Sequence, residues 1–504
     1  MTIEKKLLGT SPSGGDAPNV EDVFSTYLYT GTSSTQTITN GIDLAGEGGM
    51  VWLKCRDNAH DNQIYDTERG VTNHLRSNSA GVEGTQSTSL TSFNSDGFTI
   101  GSLGWINFLN NNWASWTFRK APRFFDVVTY IGNGSATQTM SHSLGSVPGM
   151  IIVKNKYGMA TGNWTVWHRS LGATTGKYIR LNTTDSTVTD STAFPIAATS
   201  TEFTVGRPSG ANDQNANVDE FVAYLFAHDP DGANDDGMIA CGSFTNVGGK
   251  ASVSIGWEPQ YLLIKNSSGI EEWNVVDTMR GLIVGTTSAG LADATLAPNH
   301  SGAEINTTRV GYPTADGFEI ENLNTSDTYI YMAIRAPMMK EPEAGTEVFA
   351  IDFRNSSAPS FTSGFPVDMA FYGETNGNKR EISTRMLQGT NLVTWSTAAE
   401  NTTGSAVFDY MDGWDNNYGA SSVLFSYMFK RAKGFFDVVA YTGNSNSTIT
   451  VNHSLGVAPE MVWVKTRSGG ANWLVGQTMV MPYGVTASGL NLNLTDAVGQ
   501  YFFM

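Results

Sequence analysis

Along the chain, apolar residues arrive in short runs separated by Gly, Asn, Asp, Ser and Thr. Phe124–Tyr130 (FFDVVTY) and Met150–Lys154 (MIIVK) are two such runs. They are β-branched and aromatic and are bounded by Gly, Asn and Pro, which predicts strands. Tyr130–Gly134 (YIGNG) and Tyr441–Ser445 (YTGNS) carry turn chemistry. Such signals recur roughly every 8–12 residues, the cadence of a β-sandwich or jelly roll. No segment sustains a 3.6-residue period beyond two turns, so helix is expected only as short turns after Asp66 and Asp277. No run of 18 apolar residues is present, so no membrane-spanning helix and no membrane insertion are expected.

The pattern repeats. Ser115–Gly134 (SWTFRKAPRFFDVVTYIGNG) matches Ser426–Ser445 (SYMFKRAKGFFDVVAYTGNS), and His142–Lys154 (HSLGSVPGMIIVK) matches His453–Lys465 (HSLGVAPEMVWVK), both at an offset of 311 residues. Three units of about 104 residues fit that offset, and weaker copies lie between. Gly256–Lys265 (GWEPQYLLIK) and Gly48–Lys54 (GGMVWLK) are versions of the same element. A tryptophan follows in three copies (Trp164, Trp273, Trp473), then DTxRG (Asp66–Gly70, Asp277–Gly281), with HRSLG at His168–Gly172 as a looser echo. Each copy closes on an aromatic strand: Trp113–Phe118, Phe221–Phe226, Tyr329–Ile334 and Phe425–Phe429. The expected architecture is therefore all-β, tandem β-sandwich (jelly-roll-like) modules of about 100 residues. A leader covers 1–19, and modules cover 20–122, 123–235, 236–344, a diverged 345–433 and an incomplete 434–504. The fifth copy lacks its closing strand, so either the chain continues or a partner chain completes it.

Composition narrows the partners. With 504 residues the chain exceeds the roughly 250–300 that one core supports. Only 15 % of residues are charged and the formal net charge is -17, a poor match for phosphate backbones, so nucleic acid is not an expected partner. Cys55 and Cys241 stand far apart, with no CxxC pair for zinc, and read as buried free thiols. The leader, MTIEKKLLGTSPSGGDAPN, lacks the apolar run of a secretion signal.

Recurrence sorts the candidate chemistry. A residue present in every copy is expected to hold the module together; one unique to a copy is freer to bind. The recurring tryptophan then reads as a core anchor between sheets rather than a sugar platform. His142 and His453 read as turn-stabilising. In DTxRG the guanidinium beside the acid suits a structural ion pair better than a general acid. Candidate ligand-binding aromatics are Trp105, Trp113, Trp167 and Trp414. Asp229–Gly237 (DPDGANDDG) is the one metal-like run: Asp229, Asp231 and Asp235 are candidate Ca²⁺ ligands. Ala233 stands where a calcium loop has an oxygen side chain and no Glu follows at the twelfth position, so a solvated linker is the competing reading. Calcium aside, no cofactor is expected. Glu202 and Asp219 are the nearest thing to a glycosidase pair, and nothing in the sequence unites them. Asn-x-Ser/Thr sequons such as Asn182 and Asn401 are expected by chance.

The combination FFDVVxYxGNG, HSLGxVPxMIIVKN and the closing YLFA (Tyr224–Ala227) resembles a repeat in tail-associated virion proteins of phages that infect marine bacteria. The resemblance implies a β-sandwich array in a tail fibre or other exposed virion component, with no catalytic residues carried over. It also implies localisation to the phage tail, attachment to other tail proteins through the leader, a homo-oligomer (a trimer by analogy), and contact with a host-surface glycan or receptor. Two other readings stand beside it: a tailspike-type polysaccharide depolymerase, which would need facing carboxylates, and a carbohydrate-binding adhesin array.

Overall fold

The computed structural model describes residues 18–500, apart from 158–161, 173–175, 231–235, 284–292, 307–309, 376–379, 402–405, 417–423, 445–447, 478–487 and 498. The architecture is all-β, a tandem series of two-sheet sandwiches. Among the described residues, helix is confined to single turns such as Val20–Val23 and Gly104–Asn107. The segments after Asp66 and Asp277 form hydrogen-bonded turns, not helices.

The second module shows the plan. Its large sheet runs, in spatial order, from an opening strand Phe125–Ile131 to the closing strand Glu220–Ala227, then Pro148–Tyr157, Thr165–His168, Lys177–Arg180 and Val188–Thr189. Its small sheet pairs Thr137–Ser141 with Glu202–Gly206. The first module repeats this order with Phe24–Thr30, Asn112–Arg119, Gly49–Cys55, Gln63–Asp66, Asn73–Arg76 and Gly84–Thr85. The third does so with Ile239–Thr245, Thr328–Arg335, Pro259–Asn266 and Asn274–Asp277, and the fourth with Phe349–Phe353, Leu424–Phe429, Met369–Glu374, Arg380–Thr384 and Leu392–Val393. The fifth contributes one described sheet, from Met461–Val464 through Leu474–Gln477 and Ser488–Asn491 to Gly499–Gln500.

In modules one to four the closing strand pairs antiparallel on both edges, so it sits inside the sheet although it comes late in sequence. In the first three modules it is also buried on both faces. Alternate residues of Thr328–Arg335 divide between two cores. Tyr329, Tyr331 and Ala333 pack inside the sandwich with Phe318 and Leu262. Ile330, Met332 and Ile334 join a second core that draws on modules one, two and three together. There Phe118 lies 5.4 Å from Phe226 and 6.2 Å from Tyr261, bringing aromatic rings of all three modules together. A strand buried on both faces reads as a continuous apolar run rather than an alternation, which is what FVAYLFA shows.

In modules two and five, recurring motif residues fix the turn between the opening strand and the apolar run. The FFDVV acid, Asp126, accepts hydrogen bonds from the backbone N–H of Val127 and of Ser143 in HSLG. Asp437 does the same for Val438 and Ser454. His142 Nδ1 accepts from Leu144 N and His453 Nδ1 from Leu455 N, so both histidines serve their turns.

Candidate interaction site: the seams between modules

The recurring tryptophan is buried, but not between the sheets of its own module. Trp164 Nε1 donates to the carbonyls of Arg76 and Ser79 in module one at 3.0 and 3.1 Å. Trp273 Nε1 donates to Arg180 O in module two at 2.9 Å, and Trp473 Nε1 to Val393 O in module four at 2.8 Å. Arg76, Arg180 and Val393 are the last residues of the strands Asn73–Arg76, Lys177–Arg180 and Leu392–Val393 of the preceding module, and Ser79 lies three residues past the first. In module one the equivalent residue is Asn62, whose Nδ2 donates to Ala297 O and His300 O of module three. The core-anchor reading is thus corrected: the indole is a rivet between modules. Its backbone N–H is held by an asparagine side chain in modules one, two, three and five: by Asn182, Asn299 and Asn493 for the three tryptophans and by Asn78 for Asn62. Asn182 is therefore a structural residue.

The lysine that ends each apolar run makes the second contact. Lys154 Nζ donates to Gly162 O of its own module and to Ala80 O of module one. Lys265 Nζ reaches Glu271 O and, in module two, Thr184 O. Lys54 Nζ reaches His60 O and, in module three, Ser301 O. Lys465 Nζ repeats the pattern with Thr466 O and Thr397 O of module four. Burial pushes Lys154 down to about 7 and Lys265 and Lys54 down to about 8. Two residues on, a backbone bond closes each seam: Glu83 N to Lys156 O, Thr187 N to Ser267 O, Glu304 N to Arg56 O and Glu400 N to Arg467 O.

Module two thus docks on one, three on two, and one on three. The relation is heterologous and it closes, as a rotational trimer does, inside one polypeptide. The fourth and fifth modules form one further seam of the same kind.

The DTxRG ion pairs are fully buried. Arg69 Nε meets Asp66 Oδ2 at 2.6 Å and Arg280 Nε meets Asp277 Oδ2 at 2.7 Å, each with both side chains at 0 % exposure. The same acid oxygens also cross a seam: Tyr224 OH donates to Asp66 Oδ2 at 2.7 Å, and Trp116 Nε1 to Asp277 Oδ2 at 3.1 Å. His168 holds the corresponding place in module two and reaches Tyr331 O at 3.1 Å; burial pushes it down to about 3.

The candidate ligand-binding tryptophans are not a group. Trp113 and Trp414 are fully buried in sandwich cores, the latter stacked on Phe361 at 5.1 Å. Trp167 is buried and donates to Gly172 O. None of the three has a free face, because the strand carrying it is covered on the side it occupies. Trp105 is different: it is 43 % exposed, edge-on to His74, in a loop whose Phe108 and Leu109 are also exposed. Of the calcium candidates, Asp229 is ion-paired with Arg123, which also holds Asp236, so its carboxylate already has a cation. Asp231 and Asp235 lie outside the described residues, as do leader residues 1–17. Among the described residues no group of three or more His, Cys, Asp or Glu is placed to hold a metal. Glu202 opens a strand of the small sheet, whereas Asp219 precedes the closing strand and accepts from Asn155 Nδ2. Cys55 and Cys241 are buried and free.

A family model described as a domain of unknown function (DUF7483) matches residues 19–337 and 372–502, so the chain belongs to that family. No curated protein matches it.

Proposed function

We propose that this member of the DUF7483 family is a structural protein of a phage virion, a tail fibre or other tail-associated component, that contacts the host surface. The observation that carries the reading is the use made of the recurrent residues. Trp164, Trp273 and Trp473, the seam lysines and the DTxRG acids Asp66 and Asp277 are all committed to locking modules together, as expected of a scaffold rather than an enzyme. The contact surface is then a feature of one copy. The loop with Trp105, Phe108 and Leu109 supports this, since an exposed indole offers a face on which a sugar ring can stack.

The test is adsorption of purified chain to host cells together with a glycan array. Saturable binding supports the reading. Reducing ends released from host polysaccharide would instead establish the depolymerase and overturn it.

A further inference from the structure

The three ring seams share one axial place where a polar residue of one module meets the closing strand of the next. Asp66, His168 and Asp277 occupy equivalent positions, each paired in register with the equivalent residue of its own sheet, Met50, Met150 and Tyr261. Across two seams the closing-strand side chains Tyr224 and Trp116 reach Asp66 and Asp277; by register the equivalent position toward His168 is Met332, next to Tyr331, whose carbonyl His168 contacts. All six side chains are essentially buried. Where the axial residue is an aspartate, the next module supplies a donor, the Tyr224 hydroxyl or the Trp116 indole. Where the next module offers Met332, which has no donor, the axial residue is His168. Its Nδ1 accepts from Ser170 N, which puts the ring proton on Nε2, and Nε2 donates to the backbone carbonyl of Tyr331. The residue three places on follows suit: Arg69 and Arg280 beside the aspartates, Leu171 beside the histidine.

We propose that these axial pairs are an order code: each ring seam accepts only a module of this fold whose closing strand matches it in hydrogen-bond polarity. The seam lysines cannot encode order, because they all find backbone carbonyls, which every module offers. The axial contacts can. His168 opposite an indole would offer the indole N–H no acceptor, since Nδ1 already accepts from Ser170 N and Nε2 already donates to Tyr331 O. Asp66 or Asp277 opposite Met332 would bury a carboxylate oxygen short of a donor, a costly arrangement in a dry interior. The inference concerns assembly of the ring and stands apart from the virion reading.

The test uses the full chain and compares Met332→Trp with Met332→Phe, which differ in a donor-only indole N–H. In the otherwise native chain the Trp variant is expected to melt below the Phe variant, by on the order of 3 °C. In a His168→Asp/Leu171→Arg background, which transplants the aspartate set, the ranking is expected to reverse. An unchanged ranking in the two backgrounds would overturn the code and leave ordinary packing. Should the double-variant background fail to fold, the native background decides alone: a Trp variant that melts as high as the Phe variant sinks the proposal.

Discussion

Trp164, Trp273 and Trp473 show what a repeated residue can and cannot reveal. Recurrence marked them as architectural, but spacing along the chain carries no information about which module supplies the acceptor. Trp164→Phe keeps the packing and leaves two carbonyls without their indole donor, so a loss of about 1–3 kcal/mol is expected in urea unfolding. Trp164→Ala should cost about 3–5 kcal/mol. The seam lysines predict a pH dependence. Burial holds Lys154 near 7, below its value of about 10.5 in an unfolded chain. The folded state therefore releases this proton first as pH rises. The penalty for burying the charge is fully present below about pH 7 and is relieved as pH rises toward 10. Stability should rise across that window by on the order of 1 kcal/mol per pH unit for this group, with Lys54 and Lys265 adding from about pH 8. Melting temperature measured from pH 6.5 to 9.5 checks this, and Lys154→Met should flatten the slope. A buried lysine was legible as an oddity, a charge ending an apolar run; its partner across a seam was not.

At the scale of the element, the closing strand does two jobs. One face of Thr328–Arg335 fills the sandwich and the other fills the ring core, so equal burial hides different consequences. Phe118→Ala, on the ring-core face of Asn112–Arg119, removes contacts with both Phe226 and Tyr261. It should cost about 3–5 kcal/mol and expose amides in all three modules to hydrogen exchange. Phe98→Ala, in the core of the first sandwich, should cost a similar amount but raise exchange mainly in the first module. The loop at Gly104–Asn107 is the opposite case. Trp105→Ala lies at an exposed site and should change stability by less than about 0.5 kcal/mol. If the loop is the glycan contact, the same change abolishes array binding. Trp113, Trp167 and Trp414 looked equally eligible in sequence because an indole on a strand gives no sign of which face is covered.

At the scale of the molecule, three modules share one core, so residues 20–335 should unfold together. Calorimetry is expected to show one transition for the ring, with module four and the seam it shares with module five melting separately; three resolved ring transitions would contradict this. Breaking the seam between modules one and three, for example with Lys54→Met and Asn62→Ala, should widen the ring transition by uncoupling modules that share no direct linker. The resemblance implied a trimer of chains. Within one chain the first three modules close into a ring, which a sequence reading of separate modules had no means to foresee.

The repeat, the strands and the all-β class were determined by the sequence itself, because alternation, β-branched runs and turn residues act over a few positions and recur at each copy. The turn roles of His142 and His453 were equally local. What the tertiary structure alone decided is where each buried face goes. FVAYLFA specifies a strand covered on both sides, but not that one cover is a neighbouring module. Asp66 and Asp277 specify an acid beside an arginine, but not that Tyr224 and Trp116 arrive from elsewhere in the ring to complete its hydrogen bonds. Those partners lie more than 150 residues away, and only closure of the ring brings them within hydrogen-bond reach.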